Sequence, residues 1–467
     1  MVETAMQFDV VVIGGGPGGY VAALRAAQLK LRTALVERES LGGICLNWGC
    51  IPTKALLHSA DTLRRIRHAD AQGITVSEPQ VDFGKVVARS RQVSQRLNRG
   101  VAHLLKKAGV TVFMGSAALQ TGRQVRVTDA KGQSQMLQAK NVLIATGARA
   151  RELPMLPFDG DRVWGYRDAL SAKALPKSLV VIGAGAIGME FASFYATLGT
   201  QVTVMEAASR VLPASDEDVS AFAQQAMAKD GIQFLTAAKL VAGQVQADGV
   251  RLTVEQGGAS RQLHAERVLV AVGLVGNSEG LGLEDTRVVV EQGLIQAADW
   301  GVTAEPGIYA IGDITGAPML AHKASHEGVA AVEHIAGLRS GAQHHAPIPS
   351  CVYSYPQSAA VGLTEAQARK SGTPVRVGKF PLEGNGKAIA IDEAAGFIKA
   401  VFNEATGELL GAHLVGPEAT ELVHGYTLAA TLEATEAELM ETIFPHPTLS
   451  EAMHEAVLAA YGRALHI

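Results

Sequence analysis

The sequence predicts an α/β fold: two doubly wound, parallel-sheet units followed by an α+β unit. Three observations carry that prediction. A strand, a glycine-rich turn, a helix and a second strand ending on an acid occur in that order twice. The chain is 467 residues long, beyond the roughly 250–300 residues that one hydrophobic core serves. Past a Gly/His/Pro linker at 340–349 the pattern changes to alternating strands with helices between them.

The two repeats are closely similar. Residues 8–19 read Phe-Asp-Val-Val-Val-Ile-Gly-Gly-Gly-Pro-Gly-Gly, and residues 178–188 read Ser-Leu-Val-Val-Ile-Gly-Ala-Gly-Ala-Ile-Gly. Each closes a β-branched run with Gly-x-Gly-x-x-Gly: Gly14, Gly16 and Gly19, then Gly183, Gly185 and Gly188. Helices of small residues follow (Tyr20 to Lys30, Met189 to Leu198), then strands ending on Glu37 and Glu206, each 23 positions after its first glycine. One such fingerprint is weak; two in full strand–turn–helix–strand–acid context point to two Rossmann-like dinucleotide-binding domains. The first glycine makes the tight turn, the second lets backbone approach a pyrophosphate, and the third packs helix on strand. The terminal acids would accept hydrogen bonds from adenine-ribose hydroxyls. After Glu206 stand Ala207 and Ala208, with no arginine for a 2′-phosphate, so NAD is favoured over NADP.

Between the repeats, residues 54–108 show helical periodicity, and short strands lead to Val142–Gly147. A similar strand, Val268–Gly273, closes the second unit, and Ile308–Asp313 follows a loop-rich stretch. A helix is expected from Ala321 to Ala336, and strands at Ala359–Leu363, Gly396–Phe402 and Leu409–Val415. The boundaries read as 1–150 for the first nucleotide domain, 151–275 for the second, 276–345 for a central segment completing the first site, and 346–467 for the α+β unit.

Composition narrows the function. The net charge is −4, so nucleic acid is excluded as the main partner, there being no basic excess to neutralise phosphates. Charged residues make up only 18%, which implies hidden surface between domains or between chains. The N-terminus, Met1–Asp9, has no basic n-region, and the apolar run from Ser178 to Met205 is broken by glycines and Glu190. A soluble, cytoplasmic protein without membrane spans is the expectation. Only Cys45, Cys50 and Cys351 are present, too few to staple a secreted chain. Cys45-x4-Cys50 lacks the second pair that zinc would need, so no metal site is expected. Two cysteines near a helix N-terminus could instead share a reducible disulfide, the helix dipole lowering a thiolate's pKa. Taken alone, His446 between Pro445 and Pro447 reads as a loop histidine; Cys351 reads as a buried thiol without a role.

The glycine pair, together with Gly42-Gly-Ile-Cys-Leu-Asn-Trp-Gly-Cys-Ile-Pro-Thr-Lys54, Ala145-Thr-Gly147, Gly312-Asp313 and His446-Pro-Thr-Leu-Ser-Glu451, resembles the flavoprotein disulfide reductases over the whole chain. The resemblance implies FAD on the first fingerprint, NAD on the second and a C-terminal dimerisation domain that makes a homodimer. It places Asp313 at the flavin's ribityl chain, and Ala117, Thr146, Gly147, Met319, Leu320 and Ala321 along the FAD. It pairs Lys54 with Glu190 near the flavin ring and puts Gly273 at the NAD site. It implies oxidation of protein-bound dihydrolipoamide by NAD+, on a lipoylated acyltransferase or lipoyl carrier protein of a multienzyme complex. His446 would be the base, with Glu451 orienting it; Cys45 would exchange with substrate, and Cys50 would face the flavin. A glutathione reductase would carry basic residues where Glu206-Ala-Ala stands. Mercuric and large thioredoxin reductases would add C-terminal cysteines, and soluble transhydrogenases would lack the second redox cysteine. One departure concerns the family's usual Gly-Arg-x-Pro-Asn, which reads Gly273-Leu-Val-Gly-Asn277. Gln357 stands where a glutamate is common.

Overall fold

The computed structural model describes residues 6–467; the first five residues of the N-terminal stretch read above lie outside it. By their internal contacts the residues form two compact units. One comprises 6–55, 84–151 and 273–344; the other comprises 56–83, 152–272 and 345–467.

The first unit is built on β1 (Met6–Ile13), α1 (Pro17–Gln28) and β2 (Thr33–Glu37). After β2 come two helices, α2 (Gly43–Trp48) and α3 (Cys50–Arg67). The long helix α4 (Phe83–Lys107) leads to β3 (Thr111–Met114). A meander follows: β4 (Ser116–Gln120), β5 (Gln124–Thr128) and β6 (Ser134–Ile144). The sheet order is β3-β2-β1-β6-β5-β4, with Ile308–Ala310 added in parallel beside the end of β6. β1 pairs in parallel with β2 and β6, while β4, β5 and β6 pair antiparallel.

The apolar runs of β1 read as continuous because both faces are covered. Val10 and Val12 pack with Ala22, Ala23 and Ala26 of α1 on one side, and Val11 and Ile13 pack with Val142 and Ile144 on the other. The helix Ala321–Ile335 lies on α1 at a crossing that only glycine permits. A Cβ on Gly328 would crowd the Gly18 carbonyl, and one on Gly18 would sit 3.0 Å from the Ala324 carbonyl. The helix-periodic stretch read over 54–108 forms two helices. α3 gives way after Arg67 to a short 3-10 turn and an irregular segment over 73–82, where Gly73 (φ +77°) and Pro79 break the helical pattern.

The second unit repeats the design. Ser178–Ile182, Gln201–Met205 and Gln233–Leu235 run parallel, flanked on the other side by Arg267–Val270 and Val163–Trp164. A three-stranded antiparallel sheet, Ala238–Gln246, Gly249–Gln256 and Ala259–Ala265, is an addition that the sequence reading passed over. The C-terminal residues make a five-stranded antiparallel sheet from Ser350–Val352, Ser358–Gly362, Leu409–Val415, Phe397–Asn403 and Val375–Pro381. The helix Glu451–Ala460 lies against that last strand at Gly378, where a Cβ would overlap the Ala456 carbonyl. That close seat holds the middle and C-terminal end of the helix on the sheet.

Candidate active site

The first glycine turn is a cradle that side chains would fill. Gly14 sits at φ +105°, and a Cβ there would overlap the Ala145 carbonyl. A Cβ on Gly19 would overlap the carbonyl of Gly14 itself. Gly16 precedes α1 without a side-chain cap, so the first-turn N–H groups are left for an anion. Glu37 is held by backbone donors at both oxygens: Gly15 N–H at 2.7 Å on Oε2, and Glu39 N–H at 2.7 Å on Oε1. Oε1 also accepts from Ser40 N–H at 3.2 Å, so it is Oε2, with one donor, that keeps a lone pair for a ribose hydroxyl. Thr146 and Gly147 are locked to Asn277: Thr146 Oγ1 donates to the Asn277 carbonyl at 2.9 Å, and Asn277 N–H donates to the Gly147 carbonyl at 3.0 Å. Ala117 is buried in β4. Met319 and Leu320 lead into the helix that starts at Ala321, a second N-terminus without a side-chain cap. Burial raises the pKa of Asp313, against the pull of Lys323. These residues fit a dinucleotide: backbone donors, an anchored acid and room where a Cβ would intrude.

The loop after Glu37 delivers the cysteines to this cradle. Gly42 N–H donates to the Gly15 carbonyl at 2.7 Å, and a Cβ on Gly43 (φ +57°) would come 2.7 Å from the Gly16 Cα. Cys45 lies in α2, half-buried, and Cys50 opens α3, exposed. The pair is present as the dithiol, the two sulfurs hydrogen-bonded to each other. The dipole argument led to the expectation of a lowered thiol pKa, but Cys45 moves the other way. Its bond to Cys50 raises it first, burial adds to that, and the nearby Lys54 ammonium opposes. Asp313 also raises Cys45 electrostatically, which joins the glycine cradle and the redox pair into one site.

In the second unit the C-terminal loop presents a dyad. His446 Nδ1 lies 3.0 Å from Glu451 Oε1, and Thr448 N–H donates to Glu451 Oε2 at 2.8 Å. Asn385 Nδ2 donates to the Thr448 carbonyl at 3.0 Å and pins the loop. Partial burial works against the charge of Glu451, but the Thr448 N–H and His446 hold its carboxyl below the usual range. The His446 side chain is 78% exposed, and its Nδ1 contact with Glu451 leaves Nε2 for a proton from outside.

The second glycine turn repeats the first. Gly183 has φ +103° and backs onto the Ala271 carbonyl, and Gly188 underlies the Gly183 carbonyl. Gly185 has nothing within 4 Å of a built Cβ, and no side chain caps the helix after it. Glu206 accepts from Ala184 N–H at 2.7 Å and Ala208 N–H at 2.8 Å, the arrangement of Glu37 over again. Gly273 has φ +101° with open space around it. Gly276, where the related pattern has proline, is pressed against the Gly293 carbonyl. Glu190 is buried and accepts from Tyr353 N–H at 3.0 Å.

Two participants escaped the sequence reading. Glu327 accepts from Gly312 N–H at 2.8 Å and pairs with Lys323 at 2.8 Å, bracing the turn that carries Asp313. The i,i+4 spacing of Lys323 and Glu327 was readable, but their target was not. Arg210, four residues past Glu206, is tied to Glu217 at 2.6 Å and to the Pro213 carbonyl at 3.1 Å. It is already engaged on its own loop.

Residues 8–328 match the family model described as pyridine nucleotide-disulphide oxidoreductase, and residues 348–457 match its dimerisation domain. The chain is 52% identical to a dihydrolipoyl dehydrogenase of Zymomonas mobilis over 99% of this chain and 100% of that one. It is 48% identical to one from Rhizobium etli over 99% and 100%, and 44% identical to one from Bacillus subtilis over the same shares. Among solved structures, LpdA of Mycobacterium tuberculosis superposes with a TM-score of 0.90 at 29% identity, over 97% of this chain and 99% of that one. The HOCl-induced flavoprotein disulfide reductase RclA of Escherichia coli, as its Cu(II) complex, gives 0.86 at 26% identity, over the same shares.

Proposed function

This chain belongs to the pyridine nucleotide-disulphide oxidoreductases, and on that premise we propose that it catalyses the dihydrolipoyl dehydrogenase reaction. Dihydrolipoamide carried on a protein is oxidised to lipoamide, and NAD+ is reduced to NADH. The observation that carries the reading is the Cys45–Cys50 pair, thiol to thiol, on the loop that closes the first glycine cradle.

The residues divide the work. In the oxidised enzyme one substrate thiolate attacks the Cys45 sulfur; the new S–S bond forms as the Cys45–Cys50 bond breaks, and Cys50 leaves as a thiolate. The second substrate thiol displaces Cys45 from the mixed disulfide, giving lipoamide and the enzyme dithiol. His446 Nε2 takes the proton of the attacking thiol, and Glu451 stabilises the resulting imidazolium through Nδ1. The Lys54 charge favours the thiolate form of the pair. Bound FAD, held by Gly14, Gly16, Gly19, Glu37, Thr146, Asp313 and residues 319–321, supplies a two-electron acceptor for the dithiol and a hydride donor for NAD+. NAD+ belongs on Gly183, Gly185, Gly188 and Glu206, with Gly273 beside it.

His446 stands exposed in the segment matched as a dimerisation domain, so the working form is a homodimer in which His446 of one chain serves the cysteine pair of the other. No helix of the described residues is long and apolar enough to cross a membrane, which accords with a cytoplasmic site of action. The carrier is a lipoylated acyltransferase or lipoyl carrier protein of a multienzyme complex. The test is NADH formation from dihydrolipoamide by the wild type and by Cys45→Ser and Cys50→Ser. Each substitution should leave FAD bound and abolish turnover; a variant keeping more than about a hundredth of the rate overturns the disulfide route.

A further inference from the structure

Helix α4 carries seven basic residues and no acidic one over Phe83–Lys107, in a chain of net charge −4. Six positions fall on one exposed stripe at i, i+4, i+11, i+14, i+18 and i+21: Lys85, Arg89, Arg96, Arg99, His103 and Lys106. The stripe extends about 32 Å at 1.5 Å per residue. The opposite face, with Ser90, Ser94, Val101 and Leu105, is buried. Arg96, Arg99 and Lys106 make no ion pair among the described residues. Like charges at i,i+3 and i,i+4 destabilise their own helix. A merely solvated helix face carries mixed charge; this one carries a single sign.

The helix is also bonded to the redox loop. Arg91 Nη1 donates to the Asn47 carbonyl at 2.7 Å, and its guanidinium lies 4.9 Å from the Trp48 ring. Arg89 Nη1 donates to the Ala55 carbonyl at 3.0 Å, and Asn98 Nδ2 to the Leu41 carbonyl at 2.7 Å. These bonds bracket Cys45 and Cys50. We propose that the basic stripe of α4 is the docking surface for an acidic carrier domain, which it seats with the dithiol arm beside the cysteine pair. This rests on the reading that the substrate arrives on a protein. Charge complementarity of this kind acts through encounter rate and falls with salt.

The test compares one reactive group in two settings. The holoenzyme is assayed with free dihydrolipoamide and with a net-acidic lipoylated carrier domain, reduced. The variants are Arg96→Glu/Arg99→Glu/Lys106→Glu and a milder triple glutamine variant. Both should keep full FAD and turn over free dihydrolipoamide within about twofold of wild type. At low salt, kcat/KM for the carrier should fall at least about tenfold in the glutamate variant and less in the glutamine variant. The wild-type rate with the carrier should drop as salt rises, and the glutamate variant's should not. Unchanged carrier kinetics would overturn the proposal, as would equal losses on both substrates. A wild type that oxidises neither substrate refutes the proposed reaction itself, a different failure.

Discussion

The two nucleotide cradles differ in what covers them, not in how they are made. Both place glycine at φ above +100°, both leave a helix N-terminus without a side-chain cap, and both anchor a strand-terminal glutamate on backbone donors. In the first, the Gly42–Gly43 turn folds back until Gly43 Cα lies 3.9 Å from a Cβ built on Gly16. In the second, the returning residue is Leu212, whose N–H donates to the Ala184 carbonyl at 2.8 Å, and nothing comes within 4 Å of a Cβ built on Gly185. A covered cradle suits a group that stays bound, and an open one suits a cosubstrate that must leave each cycle. The same turn serves both because the difference lies in the loop that follows the acid.

The most drastic way to break that comparison is at the first glycines. Gly14→Ala should yield protein without FAD, because its Cβ meets the Ala145 carbonyl at a strained φ. Gly183→Ala should retain FAD and lose NADH formation. Flavin absorbance per chain and steady-state rates separate the two, and a yellow Gly14→Ala protein would refute the covered-cradle account.

Next in size is His446→Gln. Losing the proton acceptor should lower lipoamide turnover by about 10²–10⁴-fold. NADH-dependent reduction of an artificial dye, which bypasses the cysteines, should stay near wild type. Equal losses in both assays would place His446 outside the thiol step.

A third experiment asks what the second cradle rests on. Lys399 is buried and pairs with Asp216 and Asp218 at 2.9 Å and Glu365 at 2.7 Å. Burial opposes the charges of all four groups, but their mutual hydrogen bonds lower the three carboxyls and raise the lysine. Lys399→Met strands the buried Asp216 carboxylate and should cost about 3–5 kcal/mol, read by urea melts of the apoprotein. The carboxyls ionise more readily folded than unfolded, so their stabilisation is present above their ordinary values of 3.8 and 4.5 and is lost as pH falls below them. The lysine is raised, so its share holds up to 10.5 and fades only above it. The wild type should therefore lose stability below about pH 4, and Lys399→Met should show less of that acid dependence.

The smallest effect sharpens the cosubstrate assignment. With the cosubstrate placed as proposed, a 2′-phosphate would meet the Glu206 carboxylate, while Arg210 is occupied by Glu217. The kcat/KM ratio should favour NAD+ over NADP+ by at least about a hundredfold, near 2.7 kcal/mol. Glu206→Ala should reduce that ratio chiefly by weakening NAD+; an unchanged ratio would remove Glu206 from the ribose site.

How much of this the sequence already held depends on the range of each contact. The glycine turns, the terminal acids and the cysteine spacing were legible because each is a constraint within a few turns of chain, whereas His446 and Glu451 stood out only through the family resemblance. A φ above +100° demands glycine wherever it occurs, and a strand–turn–helix unit has a fixed length. Tertiary structure alone decided what lies between distant residues. Lys399 finds Asp216 across 183 positions, and Thr146 finds Asn277 across 131. The proton on Cys45 also depends on surroundings that spacing does not encode: burial, the Cys50 sulfur and the charge of Asp313. Gly276 read as a loss from a familiar pattern; against the Gly293 carbonyl it is the residue that fits. Backbone geometry is local and repeats along a chain, so sequence determines it directly, whereas desolvation and pairing depend on which surfaces meet, and only the packed fold decides that.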